Sequence, residues 1–217
     1  MRLTMQRRQF GWMFGLGLGA IGLVQLWQRR FKRGKATQTP QAGSGSLYRR
    51  RYWVDFQALN QSPESLVKHI KANLPDFSPG LFADFRKATG NERVMQVGDE
   101  YDIAILGPWN GSVRVSTSQP LRFGFCTLEG HPEAGQIHFE LKPHPERSNT
   151  WRFEIASEAR SRDGLVEMAY RIGKVVQTQV WSTFCQRVVE FAQAQQLGEI
   201  QTSTIEQTPE GEVVIHD

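Results

Sequence analysis

Gln136-Ile137-His138-Phe139-Glu140-Leu141-Lys142, then Trp151-Arg152-Phe153-Glu154-Ile155-Ala156-Ser157-Glu158-Ala159, then the spaced set Val176, Val180, Phe184, Val188 and Phe191 decide the architecture of this chain. In the first two runs alternate residues are apolar. That period of two describes strands with one buried and one wet face, as in an antiparallel sheet. The third set repeats at helical spacing, and Trp181, Cys185, Val189 and Ala192 widen its apolar face. The spacing predicts a long helix from about Leu165 or Lys174 to Gln196. So broad a face needs a large partner, and a curved sheet supplies one.

Working outward, strand-like runs continue upstream at Val94–Val97, Tyr101–Leu106, Ser112–Thr117 and Leu121–Leu128, separated by Gly-, Pro- and Asn-rich turns. A further strand is predicted at Tyr48–Phe56. Ser62-Pro63-Glu64-Ser65 reads as a helix start, with a Ser cap, Pro at the first position and an early acid. Leu66, Val67, Ile70 and Leu74 form its apolar face. Pro79–Ala88 is predicted as a second short helix, closed by Gly90. The fold class is therefore α+β: strand, two short helices, a meander of about six strands, and a long C-terminal helix.

The N-terminus has a different character. Phe10 to Trp27 is 18 residues without a charge. As a helix it spans about 27 Å, close to the thickness of a bilayer core. Phe10, Trp12 and Trp27 stand near its ends, where aromatic rings favour the membrane interface. Residues 1–51 hold 11 of the 26 Lys and Arg and no acid. Residues 52–217 therefore keep 15 basic against 22 acidic residues, a net charge of −7. The overall +4 reports the N-terminus alone. An acidic body excludes the basic face of a nucleic-acid-binding domain, and membrane phosphates suit the basic flanks, with Arg49–Arg51 on the membrane surface close to the tether.

The expected organisation is a single-pass anchor with basic flanks over 1–35, a flexible linker over 36–46, a folded domain over 47–197 and a loose acidic tail over 198–217. Val213-Val214-Ile215 offers the tail a short edge strand. The heavier positive charge after Trp27 places the body in the cytoplasm. The alternative is export, because Arg7-Arg8-Gln9-Phe10 resembles the core of a twin-arginine signal, although no small-residue cleavage site follows Trp27. Gly11, Gly15 and Gly19 form a small-residue face that would let two anchors associate as a homodimer.

Phe125-Cys126-Thr127-Leu128-Glu129-Gly130-His131-Pro132-Glu133-Ala134-Gly135 carries a closer signal. It resembles the T-L-x-G-H-P-x-x-G segment of an uncharacterised bacterial and plant domain-of-unknown-function family. Trp151 to Arg162 resembles that family's W-x-E-I-x-A-x-S-R strand. The likeness covers roughly residues 50–190. It departs where acids usually follow the glycine, since Gln136 and Ile137 stand here. The resemblance, together with the element order, implies a helix-grip fold of the START and Bet v allergen-like (SRPBCC) superfamily. Such a fold implies an apolar or amphipathic ligand, lipid or isoprenoid-like, held between sheet and C-terminal helix. Thr127, His131, Trp151, Phe153, Val180 and Phe184 would line that space.

Three functions follow as expectations: a membrane-tethered ligand-binding domain, an enzyme on the same fold, or a non-catalytic membrane scaffold. In the enzyme, His131 would be the acid/base with Glu133 or Thr127 assisting, since an imidazole beside a carboxylate titrates near neutrality. Equally, His131 would brace its own turn. His138, Glu140 and His144 match no metal-ligand spacing. Cys126 and Cys185 lie on apolar faces and read as structural thiols. No cofactor motif is present: the Gly15-x-Gly17-x-Gly19 run lies in the apolar segment, not after a strand. Arg160, Arg162 and Arg171 flank the entrance to the last helix and would suit an anionic headgroup.

Overall fold

The computed structural model describes residues 35–80, 83–105, 110–162, 164–208 and 211–215. The predicted membrane segment, including Phe10, Trp12, Trp27, Gly11, Gly15 and Gly19, lies outside them. Among the described residues no helix is long and apolar enough to cross a membrane.

The body is a large antiparallel sheet with few helices. Among the described residues the strands are β1 (Thr37–Gln38), β2 (Ser44–Gln57), β3 (Ala83–Lys87), β4 (Glu100–Ile105), β5 (Gly111–Ser118), β6 (Arg122–Leu128), β7 (Glu133–Pro143), β8 (Thr150–Ser161), β9 (Gln195–Thr208) and β10 (Gly211–Ile215). The helices are α1 (Pro63–Ala72), α2 (Leu74–Phe77) and α3 (Gly164–Ala192). The strand order is β10-β9-β2-β8-β7-β6-β5-β4-β3, with β1 paired to β6. The meander β3 to β8 thus returns to the first long strand, and α3 packs on the inner face.

Local chemistry explains the elements. In β2, Tyr52, Val54 and Phe56 are buried and alternate with less buried neighbours. Ser62 caps α1 by accepting the Ser65 amide at 3.2 Å, with Pro63 in the first turn. Leu66, Val67 and Ile70 of α1 enter one core with Phe184, Cys185, Val188 and Ala192 of α3 and the inward residues of β2 to β8. The outer face carries ion pairs instead: Arg49 with Glu158 and Glu212, Arg51 and Lys142 with Glu154, and Arg152 with Asp55.

Four expectations are corrected. Residues 36–46 are not a loose linker. Thr37 and Gln38 pair with Leu128 and Thr127, a 3-10 turn follows at Pro40–Ala42, and β2 starts at Ser44. The tail is not loose: β9 pairs along β2 from Leu47 to Gln57, and β10 pairs with β9. Within Pro79–Ala88 the described residues 83–87 form strand β3, not a helix, with Phe85 buried. Val94–Val97 is a loop. Met95 is buried there while Val94 and Val97 are exposed, because the segment folds round a buried Lys87–Asp99 ion pair rather than a neighbouring strand.

Candidate functional site

His131 follows the tight turn that ends β6, and its side chain is spent on that turn. Its amide donates to Leu128 O at 2.9 Å. Its ring Nδ1 lies 3.0 Å from both the amide nitrogen and the carbonyl oxygen of Glu133. The Gln38 amide donates to the carbonyls of both His131 and Glu133 at 3.1 Å, and Thr127 Oγ1 donates to Gln38 O at 3.0 Å while accepting the Gly135 amide at 3.0 Å. Thr127 and His131 are thus brought together as braces that hold β1 against the sheet. The backbone of Glu133 is what engages the ring, while its carboxylate turns to Gln177 and Arg50.

Burial pushes the His131 pKa below its ordinary value, against the opposing pull of Glu133. The unfolded chain therefore takes up a proton at a higher pH than the folded one. The stability His131 lends is full above its unfolded pKa of about 6.5 and falls as pH drops through that value. In melts between pH 7 and pH 5, His131→Gln is expected to flatten the acid-side loss of Tm. An unchanged slope would refute this.

Gly111 makes the ring's position possible. A Cβ there would lie 2.0 Å from His131 Cδ2. Gly111→Ala is expected to cost about 1–3 kcal/mol, as overpacking does. Adding His131→Ala should recover part of that loss, giving a non-additive cycle. Chemical denaturation of both single variants and the pair measures it; strictly additive losses would contradict the contact.

The apolar candidates divide. Phe153 and Phe184 are fully buried, and their rings stack 5.9 Å apart at 5°. Phe139 lies 5.2 Å from Phe184 and 5.6 Å from Trp181, and stacks on Phe123 at 4.6 Å. Val180 is buried beside them. These side chains fill the core with one another. Trp151 is half-buried at the far end of β8, paired with Phe56. Phe153, Val180 and Phe184 share one core with Trp151 packed against it, and Thr127 and His131 share the Gln38 brace. Burial raises both thiols, Cys185 and Cys126. Among the described residues no three metal-ligating side chains gather.

A different set does converge. Arg50 is 1% exposed and stands on the inner face of β2, in phase with Tyr52, Val54 and Phe56. Only Arg49 and Arg51 point outward, which corrects the reading of Arg49–Arg51 as a surface cluster. The Arg50 guanidinium lies 4.8 Å over the Tyr48 ring and 4.0 Å from Glu133 Oε1. Gln177 of α3 donates to Glu133 Oε2 at 3.3 Å. Tyr48 donates to Glu206 of β9 at 2.8 Å, and burial with that bond pushes its pKa up to about 12. Ser157 and Thr204 stand opposite Arg50 in the flanking strands. The Ser157 Oγ and the Trp181 Nε1 are buried without a hydrogen-bond partner among the described residues. The inner face thus passes from an aromatic core to a polar end reached by α3. The signal for Arg50 was available in the alternation of β2.

Residues 80–187 match the model of the family described as a domain of unknown function, DUF1990. No curated protein matches the chain. Among solved structures it is similar to norcoclaurine synthase from Thalictrum flavum, at 12% identity and a TM-score of 0.46, over 74% of this chain and 97% of that one. It is also similar to Ara h 8.0201, at 8% identity and a TM-score of 0.43, over 65% and 99%. A putative uncharacterized protein from Bacillus thuringiensis is similar at 10% identity and a TM-score of 0.45, over 65% and 98%.

Proposed function

We propose that this chain, a DUF1990-domain protein by its residues 80–187, binds a small amphipathic molecule between the inner face of its sheet and α3. One observation carries the reading: a buried arginine, Arg50, stands at the polar end of an inner face whose other end is aromatic, with Glu133 and Gln177 beside it. Burying a guanidinium is costly unless polar groups meet it. Polar groups gathered at one end of the inner face under a helix suit a ligand with an apolar body and a polar end. Ile137, half-buried and paired with Ser157, lies between that end and the aromatic core.

The uncharged run Phe10–Trp27 supports a membrane tether for the domain, and the charge difference across it supports a cytoplasmic face. A bilayer at hand shortens the path of an amphipathic ligand.

The full chain purified in mild detergent is expected to carry a small molecule in native mass spectrometry, released on denaturation. Ile137→Trp, which puts an indole beside Ser157, should lower that occupancy about tenfold. No co-purifying molecule, and no uptake from a lipid panel, would overturn the ligand reading. For the tether, the full chain should resist carbonate extraction from membranes, and a chain without residues 1–35 should be released. Extraction of both would overturn the tether.

A further inference from the structure

We infer that the end of the body formed by β1, the Glu129-Gly130 turn and the close of β8 rests on the phospholipid headgroups of the membrane that holds the chain. This builds on the tether proposed above and says which part of the body the lipid meets. Its basis is the length of chain outside the described residues and the point at which that chain is fastened.

The fastening is early and has several parts. The Glu129 amide donates to Ala36 O at 2.8 Å, so the body holds the chain from residue 36 onward. Thr37 and Gln38 pair with Leu128 and Thr127, and the Gln38 amide donates to the carbonyls of His131 and Glu133. Pro40 is buried, and Gly43 fits against Arg160 and Ser161 where a Cβ would collide. Residues 28–35 alone therefore separate the uncharged run ending at Trp27 from the body. Eight residues reach at most roughly 30 Å. A loose segment over 36–43 would have doubled that reach and let any face of the body come down.

The reach is short beside the body. β7 starts at Glu133, next to the fastening, and runs for 11 residues, or roughly 35 Å. The β7–β8 hairpin at its far end would meet the lipid first only if the linker stood fully stretched. Charge opposes that. Residues 28–35 include Arg29, Arg30, Lys32 and Arg33 and no acid. Each basic residue is favoured about fivefold beside an anionic lipid surface, so drawing four away from it is opposed several-hundredfold.

The surface itself suits headgroups rather than acyl chains. Glu129 and Gly130 are exposed, and residues 129–133 carry no large apolar side chain to insert. Arg162 donates from its amide to Pro132 O and from its guanidinium to Gly130 O, and Arg160 donates to Gly45 O. Those acceptors are neutral, and a guanidinium keeps its charge whichever carbonyl it bonds.

The test uses the full chain in nanodiscs of mixed phosphatidylcholine and phosphatidylglycerol, part of the lipid carrying a nitroxide headgroup. Cys126→Ser removes the half-buried thiol, and Cys185 is buried. On that background a fluorophore is attached at Glu129→Cys or, on the exposed far hairpin, at Arg147→Cys. The nitroxide is expected to quench the probe at 129 at least about threefold more than the probe at 147, given the length of β7 between them. A flexible insert of about twenty Gly and Ser residues after Lys35 should at least halve the signal at 129, because the fastened end then drifts from the surface. Equal quenching at 129 and 147, or a signal at 129 that the insert does not change, would overturn the lipid-facing end while leaving the tether standing. Failure of the chain to stay with the nanodiscs would overturn the tether, and this inference with it.

Discussion

Phe184→Ala is expected to cost about 3–5 kcal/mol, the range for deleting a buried phenylalanine from a close-packed core. At the scaling for chains of this size, that lowers Tm by roughly 10 °C. The size of the effect follows from the position. Phe184 is wholly buried and its ring meets Phe77 at 5.6 Å, Phe139 at 5.2 Å and Phe153 at 5.9 Å. It joins α2, β7 and β8 to α3 through one side chain. Collapse into the space is resisted because the neighbours are themselves stacked on other rings. Guanidinium denaturation of wild type and variant decides it. A loss under about 1.5 kcal/mol would mean that the core repacks and that the rings are not mutually locked.

Asp99→Ala should be nearly as damaging, by a different route. Lys87 Nζ lies 2.6 Å from Asp99 Oδ2, and both side chains are 10% exposed. The same ammonium donates to the carbonyls of Asn91 and Val94 and lies 5.5 Å from the Tyr101 ring centroid. Asp99 also accepts the Gln96 amide at 2.9 Å, so the loop from Thr89 to Gly98 is tied to this pair. Burial and the Asp99 charge push Tyr101 up to about 12. Removing the carboxylate leaves a buried ammonium uncompensated, at a cost of about 3–5 kcal/mol. Lys87→Met with Asp99→Ala should recover much of that loss, because two apolar side chains leave no stranded charge. A double variant as unstable as the sum of the singles would refute the account.

The central architecture was legible because its pattern is strong. Alternation in 136–142 and 151–159 and the broad stripe of the last helix left little choice of partner, and the meander and α3 are where those signals placed them. Two of the misread segments, 36–46 and the tail, share a physical cause: little apolar surface. β9, next to the edge strand β10, has mostly half-buried or exposed residues, so its pairing with β2 rests on backbone bonds that leave no hydrophobic trace. Residues 36–46 are fixed by the Gln38 side chain and by the close approach at Gly43. There a Cβ would meet Arg160 Cβ at 2.7 Å and Ser161 O at 2.8 Å. Composition read as flexibility was a demand for closeness.

The candidate site was less legible. His131 stood out by motif, and its ring proves to serve the turn. Three arginines in a row looked like one surface cluster, yet strand alternation sends the middle one inward. Its companions come from β7, β9 and α3, up to 154 residues away in sequence, which only the fold brings together.

The place of β2 between β8 and β9 has a consequence for biosynthesis. Both of its partners lie far downstream, at residues 150–161 and 195–208. A nascent chain emerging in order holds an early strand, apolar on one side, with neither edge covered until residues 150–161 have left the ribosome. Closure of the sheet is therefore a late step, and the chain depends in that interval on whatever shields Tyr52, Val54 and Phe56 from other unfinished chains.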